Sequence, residues 1–318
     1  MAQAFFGGVH PHDMKAATNE KAIEQLAPPA VVVIPMSMHF GAPCTPLVKA
    51  GDHVKVGQKI GEFHGLGAPI HASVSGTVKA VEPRPYSMGG NITSVVIEND
   101  MQDEVSEEVQ VPADPNALSV EEMVEIVKNA GIVGMGGAGF PTHVKLSPKN
   151  PDSITDVIVN CAECEPYLTS DYRRMMEEPE KLIAGLKVML KLFPNAKGTL
   201  AVEDNKPDAI ALLKKLTKDE TDISVAALHT KYPQGSERHL IYAVTGRAIN
   251  SSMLPADAGC IVDNVDTVVA INQAVREGKP LMHRIVTVTG DAVANPQNFI
   301  VRIGTNYNEL IEEAGGFV

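Results

Sequence analysis

Four glycines fall within six residues in the stretch Gly134-Met-Gly-Gly-Ala-Gly139, which runs on through Phe140-Pro141-Thr142 to Lys145. Glycines let backbone N–H groups approach an anion closely, and a following helix start and a lysine add positive charge. These residues suit a phosphate cradle; the alternative is a tight turn packed on a neighbour. Gly134, Gly136 and Gly139 match G-x-G-x-x-G, but the dinucleotide fingerprint needs a strand before it and a helix after it. A helix precedes here and Phe-Pro follows, which disfavours an ordinary Rossmann site.

A second group follows the apolar run "DVIVN" at 156–160. Asn160, Glu163 and Glu165 stand at the carboxyl end of a strand, where open α/β sheets bind ligands. At i and i+2 the two glutamates share one side if the chain stays extended. The alternative is a solvated acidic turn. Cys161 and Cys164 form a C-x-x-C, the spacing of a thiol pair or half a zinc site. No second pair completes four ligands, although Cys44 and Cys260 could come near in space.

The elements that position these groups are legible in outline. Residues 1–27 read as an irregular arm ending in a short helix, Asn19 to Gln25. Residues 28–99 alternate short strands with Gly turns in two similar halves, an all-β barrel-sandwich pattern like that of lipoyl and biotinyl carriers. The central hairpin, Gly65-Leu-Gly-Ala-Pro-Ile70, has no lysine to acylate, so a docking role suits it better than a carrier role. Residues 100–117 are an acidic linker. A capping box, Ser119 with Glu122, opens a helix that is apolar at Val120, Met123, Val124, Val127 and Ala130. Strands at 156–160, 198–203 and 222–228 alternate with helices at 179–192 and 207–216, which predicts a parallel sheet with crossover helices. Helices at 238–249 and 264–277 follow. Residues 283–318 form a ββα unit, too small to bury a core alone, which suggests a chain cut from a longer one. The fold class is α/β: a barrel-sandwich domain at 28–99, an α/β domain at 118–282 and an incomplete ββα unit.

The net charge of -12, from 27 basic and 39 acidic residues, argues against a nucleic-acid partner. Aromatic residues make up 4% and tryptophan is absent, so a base-stacking platform is not expected. No apolar run reaches membrane-spanning length. The first residues lack the basic and apolar regions of a signal peptide.

"GMGGAGFPTHVK" followed by "VNCAECEPYLTSDYRRM", "YPQGSE" (232–237) and "VDNVDT" (262–267) resembles, in order, the FMN- and NADH-binding subunit of respiratory complex I. The "GGVHP" arm (7–11), the leading "IPMSMHFGAPCTPLVKAGDHVKVGQ" domain and the "ECEPY" motif are more similar to the C subunit of Rnf-type membrane electron transport complexes. The last ββα stretch resembles the soluble-ligand-binding β-grasp domain of both. The resemblance implies non-covalent FMN and NADH or NAD as substrate. It also implies exchange of electrons with ferredoxin, directly or through partners, coupled to ion translocation. The protein would be peripheral, held to the cytoplasmic side of the membrane by other Rnf-type subunits. Two departures stand out. Ala162 replaces an aspartate of the complex I pattern. The ferredoxin-type cysteine motifs that normally follow in this family, and would hold 4Fe–4S clusters, do not occur here.

By the resemblance, Gly134, Gly136, Gly137 and Lys145 hold the FMN phosphate and ring edge. Asn160 hydrogen-bonds the flavin, and Glu163 and Glu165 take ribose hydroxyls or the nicotinamide carboxamide. Tyr232, Gly235 and Glu237 lie near the isoalloxazine or the dinucleotide. Val262, Asp263, Asn264 and Thr267 form a helix-start wall around the flavin. Phe140 either packs on a nicotinamide or adenine face or belongs to the core. No protein acid or base need do chemistry, because the cofactor carries it. The rival readings are a flavin-dependent cobalamin reductase, which begins with the flavin domain rather than the barrel-sandwich, and a docking scaffold whose flavin site has decayed.

Overall fold

A computed structural model describes residues 3–318. In chain order, a 3-10 helix (Lys15–Ala17) precedes strands β1 (Glu24–Gln25), β2 (Val31–Pro35), β3 (Thr45–Pro46) and β4 (His53–Val54). Next come β5 (Lys59–Glu62), β6 (Ile70–His71), β7 (Gly76–Pro85) and β8 (Asn91–Asn99), then helices α1 (Val120–Asn129) and α2 (Thr142–Lys145). There follow β9 (Asp156–Cys161), α3 (Ser170–Glu177), α4 (Pro179–Leu192), β10 (Lys197–Glu203), α5 (Pro207–Leu216) and β11 (Ile223–Leu228). The order closes with α6 (Glu237–Thr245), β12 (Cys260–Asn264), α7 (Val265–Glu277), β13 (His283–Val288), β14 (Gln297–Arg302) and α8 (Tyr307–Glu313).

Two packing units emerge. One holds the described residues up to Ala22 together with Val144–Asn272, and the other holds Ile23–His143 with Gln273–Val318. The sequence reading keeps 118–282 in one α/β domain; the packing units instead divide after His143 and after Asn272.

In the first unit four parallel strands lie in the order β11-β10-β9-β12. The run Val157, Ile158 and Val159 is buried throughout, as a parallel strand covered on both faces requires. Ile158, Ala201, Leu228, Leu240 and Val262 form the core on one side. α4 packs so closely on α7 that a Cβ at Gly185 would stand 2.2 Å from the Val268 carbonyl, so only glycine fits. β12 was not anticipated: the sequence reads those residues as the approach to a helix. They are strand because Cys260 to Asn264 pair with Asp156 to Asn160. α3 was also missed.

The arm belongs to this unit. Gln3 pairs with Leu228 beyond β11, and Val9 exchanges both backbone hydrogen bonds with Tyr232 at 2.8 and 2.9 Å. Phe5 is buried and stacks on His239 at 4.3 Å.

In the second unit the antiparallel sheet β2-β8-β7-β4 and the sheet β3-β5-β6 enclose Val32, Ile34, Val54, Ile60, Val95 and Ile97. Gly76, at φ +147°, lies where a Cβ would meet the Glu98 carbonyl at 2.0 Å. A third sheet, β1-β14-β13, buries Leu26, Phe299 and Val301 against Leu310 of α8. The expected helix from Asn19 to Gln25 is absent: Glu24 and Gln25 pair instead with Phe299 and Ile300. α1 carries its full capping box, with Ser119 Oγ accepting from Glu122 N and Glu122 accepting from Ser119 N.

His71 sits in this second core, and burial, with Lys59 nearby, pushes its pKa down to about 4. A folded-state pKa below the unfolded value means that the unfolded chain binds the proton more tightly between pH 6.5 and about 4. His71 therefore leaves stability intact above pH 6.5 and removes it as pH falls through that window. The loss at pH 4.5 is expected to be about 2 kcal/mol. Urea denaturation at pH 7 and pH 4.5 checks it, with His71→Gln expected to show a shallower fall. An equal fall in the variant would exclude His71 as its cause.

Candidate functional site

The glycine loop emerges from a short bridge between Val133 and Pro141 in the second unit. Gly134 N–H donates to the Phe140 carbonyl at 2.9 Å, and Phe40 N–H donates to the Gly139 carbonyl at 2.9 Å. Gly139 adopts φ +67°, and its Cβ position lies 3.2 Å from the Met38 carbonyl. These contacts pin the two ends and leave the tip exposed at Gly136, Gly137 and Ala138. The N–H groups of Gly136, Gly137 and Ala138 have no acceptor among the described residues. At Gly137 a Cβ would point into open space. Phe140 is half-buried and packs 6.0 Å from Phe40, so its ring already has an aromatic neighbour. α2 has only four residues, so the macrodipole expected after the loop is weak.

The other candidate residues lie in the first unit, at the carboxyl ends of β9 and β12 and the start of α6. Asn160 donates from Nδ2 to the Gly235 carbonyl at 2.8 Å, and its Oδ1 accepts from Ala162 N at 3.2 Å. Gly235 N–H in turn donates to Cys164 Sγ at 3.3 Å. A Cβ at Gly235 would stand 3.2 Å from that sulfur, so the glycine permits the close approach of the two segments. The adjoining Gln234 side chain is fully buried, yet neither its amide N nor its O has a partner among the described residues. Buried polar groups are nearly always paired, which singles this amide out.

Lys145 differs from the free phosphate ligand that the sequence suggests. Its Nζ donates to the Val262 carbonyl at 2.6 Å, and lies 3.3 Å from Glu237 Oε1 and 3.5 Å from Asp263 Oδ1. Burial opposes the ammonium charge, but Asp263 and Glu237 outweigh it and hold the Lys145 pKa above the ordinary lysine value. Asp263 is buried, which raises its pKa against the pull of Lys145. Its Oδ2 has no partner among the described residues. Asn264 is fully engaged: Oδ1 caps α7 through Asp266 N at 2.9 Å, and Nδ2 donates to Asp171 at 2.6 Å. Thr267 is buried in the first turn of α7.

The two glutamates after β9 do not share a side. The strand ends at Cys161, and Glu163 turns into the left-handed region at φ +53°. Glu163 is therefore buried and Glu165 exposed. The Glu165 charge raises the pKa of the nearby Tyr232 phenol. Glu163 accepts from Tyr172 N at 3.0 Å and from Lys15 Nζ at 3.4 Å. It cannot reach a ribose in this arrangement.

Lys15 is a residue of this region that sequence reading missed. Its buried ammonium donates to the carbonyls of Glu163 at 2.9 Å, of Glu165 at 3.0 Å, and of Leu168. Met14 N–H adds a bond to the Pro166 carbonyl at 3.0 Å, and Thr18 meets Thr169 at 2.6 Å. Behind this clamp, buried Lys206 donates to the Ala162 carbonyl at 2.8 Å and lies 3.5 Å from Glu203. Burial lowers the Lys206 pKa and raises those of Glu163 and Glu203. The position of the lysine just after the "GGVHP" arm was the signal available in the sequence.

The cysteines are free, and burial raises the thiol pKa of each. No helix among the described residues is long and apolar enough to cross a membrane.

Residues 3–102 match the RnfC barrel sandwich hybrid domain, 127–273 the Nuo51 FMN-binding domain and 285–318 the SLBB domain. The chain is 46% identical over 314 residues to the C subunit of the Na(+)-translocating ferredoxin:NAD(+) oxidoreductase complex of Acetobacterium woodii, covering 98% of this chain and 71% of that protein. It is also 46% identical, over an aligned length of 319 residues, to the C subunit of the proton-translocating ferredoxin:NAD(+) oxidoreductase complex of Clostridium ljungdahlii, covering 100% and 69%. Crystal structures of an NAD+-reducing NiFe hydrogenase share the fold. The air-oxidized state has a TM-score of 0.54 at 23% identity, over 63% of this chain and 39% of that one. The H2-reduced state has a TM-score of 0.55 at 24% identity, over 63% and 40%. With identity at this level along nearly its whole length and an RnfC domain leading an FMN-binding domain, the chain belongs to the RnfC family, the C subunits of Rnf-type ferredoxin:NAD+ oxidoreductase complexes.

Proposed function

We propose that this chain is an FMN-carrying, NADH-binding subunit of a membrane-associated ferredoxin:NAD+ oxidoreductase that couples electron transfer to ion translocation. The observation that carries the reading is the 46% identity, along nearly the whole chain, to two subunits bearing that activity in their names. It docks to the cytoplasmic face through other subunits.

The residues present suit FMN. The unpaired amides of Gly136, Gly137 and Ala138 are donors of the kind a phosphate takes, with no side chain at the two glycines to obstruct it. In the first unit, the unpartnered Asp263 Oδ2 could accept from a hydroxyl of the cofactor, and the unpartnered Gln234 amide could pair with a carbonyl or N–H of it. The Lys145 ammonium faces two carboxylates, so it orders that acceptor group rather than seating the phosphate alone.

FMN held there would supply two-electron chemistry towards a nicotinamide and one-electron chemistry towards single-electron carriers. The chain's own residues position it. Asn160 ties the end of β9 to Gly235, Lys145 ties β12 to the start of α6, and Lys15 fixes the segment that presents Glu165. Exposed Glu165 and half-buried Tyr232 offer an acceptor and a donor for a dinucleotide ribose.

Purified protein titrated with FMN is expected to quench flavin fluorescence with a saturating 1:1 endpoint. Anaerobic NADH is then expected to bleach the flavin absorbance. Failure to bind FMN would overturn the cofactor assignment, and bound flavin left oxidised by NADH would overturn the NADH assignment.

A further inference from the structure

The second unit contains a cavity of about 690 Å³, which falls within the range of small-ligand sites. The glycine-loop residues 134–139 do not line it. Val33, Val133, Val286 and Val301 supply apolar wall, and Arg84, Arg284 and Arg302 also line it. Three guanidinium groups against a single lining carboxylate, Glu309, stand out in a chain with a net charge of -12.

The three arginines are not equally committed. Arg302 donates to the Ser73 carbonyl at 2.8 Å and pairs with Asp103 at 2.7 Å. Arg84 pairs with Glu82 at 2.6 Å. Arg284 donates only to the Met135 carbonyl at 2.9 Å, and no carboxylate pairs with it among the described residues. Its Nε is buried without a partner, as are those of Arg84 and Arg302, so the missing counter-charge is what sets Arg284 apart. A guanidinium beside apolar wall, lacking a counter-charge, favours an acidic group that accepts from its free donors.

We propose that this cavity binds an amphipathic organic anion, its acidic group on Arg284 and its apolar body along the valine wall. The claim does not depend on the flavin reading. Carboxylate and phosphate heads share the chemistry that Arg284 would recognise.

The test uses the full chain saturated with FMN, so that an open flavin site does not contribute. Titration with 8-anilinonaphthalene-1-sulfonate is expected to give one saturable site. Decanoate or decyl phosphate is expected to displace the dye, and the tighter of the two identifies the head group. Decylamine, with the same apolar body and the opposite charge, is expected not to displace it. Arg284→Gln is expected to weaken dye binding roughly tenfold or more, in line with loss of a charged hydrogen bond. Val286→Phe keeps the arginine but fills the cavity, and it is expected to weaken dye binding at least as much while circular dichroism confirms the fold. Absence of a saturable site, displacement by decylamine as readily as by decanoate, or unchanged affinity in Arg284→Gln would each overturn the proposal.

Discussion

Lys145→Ala is expected to lower unfolding stability by about 2–3 kcal/mol and to weaken FMN binding at least tenfold. The stability loss follows from what the ammonium leaves behind. Asp263 has 1% of its side chain exposed, and Lys145 is the cation that pairs with it at 3.5 Å. Removing one partner of a buried pair strands the other charge, a larger penalty than the pair's net worth. The Val262 carbonyl also loses its 2.6 Å donor. Lys145 itself is 24% exposed, which keeps the estimate at the low end for a buried pair.

The flavin effect and the stability effect separate in a double variant. Asp263→Asn removes the charge that Lys145 compensates, so Lys145→Ala on that background is expected to cost at least 1 kcal/mol less than in the parent. FMN affinity is not expected to recover in the pair, because the ordered acceptor group is lost with the carboxylate. Urea denaturation and fluorescence-quench titration of the four proteins measure both quantities. Strict additivity in stability would mean that the pairing between Lys145 and Asp263 is inconsequential. Parental flavin affinity in Lys145→Ala would remove Lys145 from the site.

Local chemistry was readable and distant pairing was not. The Ser119–Glu122 capping box and α4, with Pro179 at its start and apolar residues on one face, follow from neighbours within a few positions. β12 has only five residues, and its strand character comes from β9, about a hundred residues earlier. The segment before Gln25 reads as helix until Phe299 and Ile300 offer it a strand to pair with. At the site, glycine composition announced free amides, and the loop presents them. The roles of Lys145, Glu163 and Asn264 were read from residue type alone. Their partners Asp263, Lys15 and Asp171 lie about 90 to 150 positions away, and those partners decide which side chains stay available. The left-handed turn at Glu163 was equally hidden, because an Ala-Glu-Cys sequence carries no glycine or asparagine to signal it.

Lys15→Met is expected to show the largest loss of stability, about 3–4 kcal/mol at pH 7, together with a rise in the NADH concentration needed to reduce the flavin. Methionine preserves most of the aliphatic stem and removes the ammonium. Three carbonyls of the segment 163–168 then lose their donor, and the Glu163 carboxylate, with 1% of its side chain exposed, loses its close cation. Burial already raises the Glu163 pKa, and Lys15 is the first of the groups that pull it back. Without Lys15 the folded-state value rises further above the unfolded one, so the folded protein binds the proton more tightly over a wider range of pH. The stability deficit of Lys15→Met relative to the parent must therefore shrink as pH falls from 7 towards 5. The buried histidines titrate in both proteins, and taking the difference removes their contribution. Glu163→Gln in the same background is expected to flatten that pH dependence, since no carboxylate remains to take up the proton. A deficit that stays constant from pH 7 to pH 5 would show that the carbonyl contacts, and not the buried Lys15–Glu163 pair, carry the stability of the clamp.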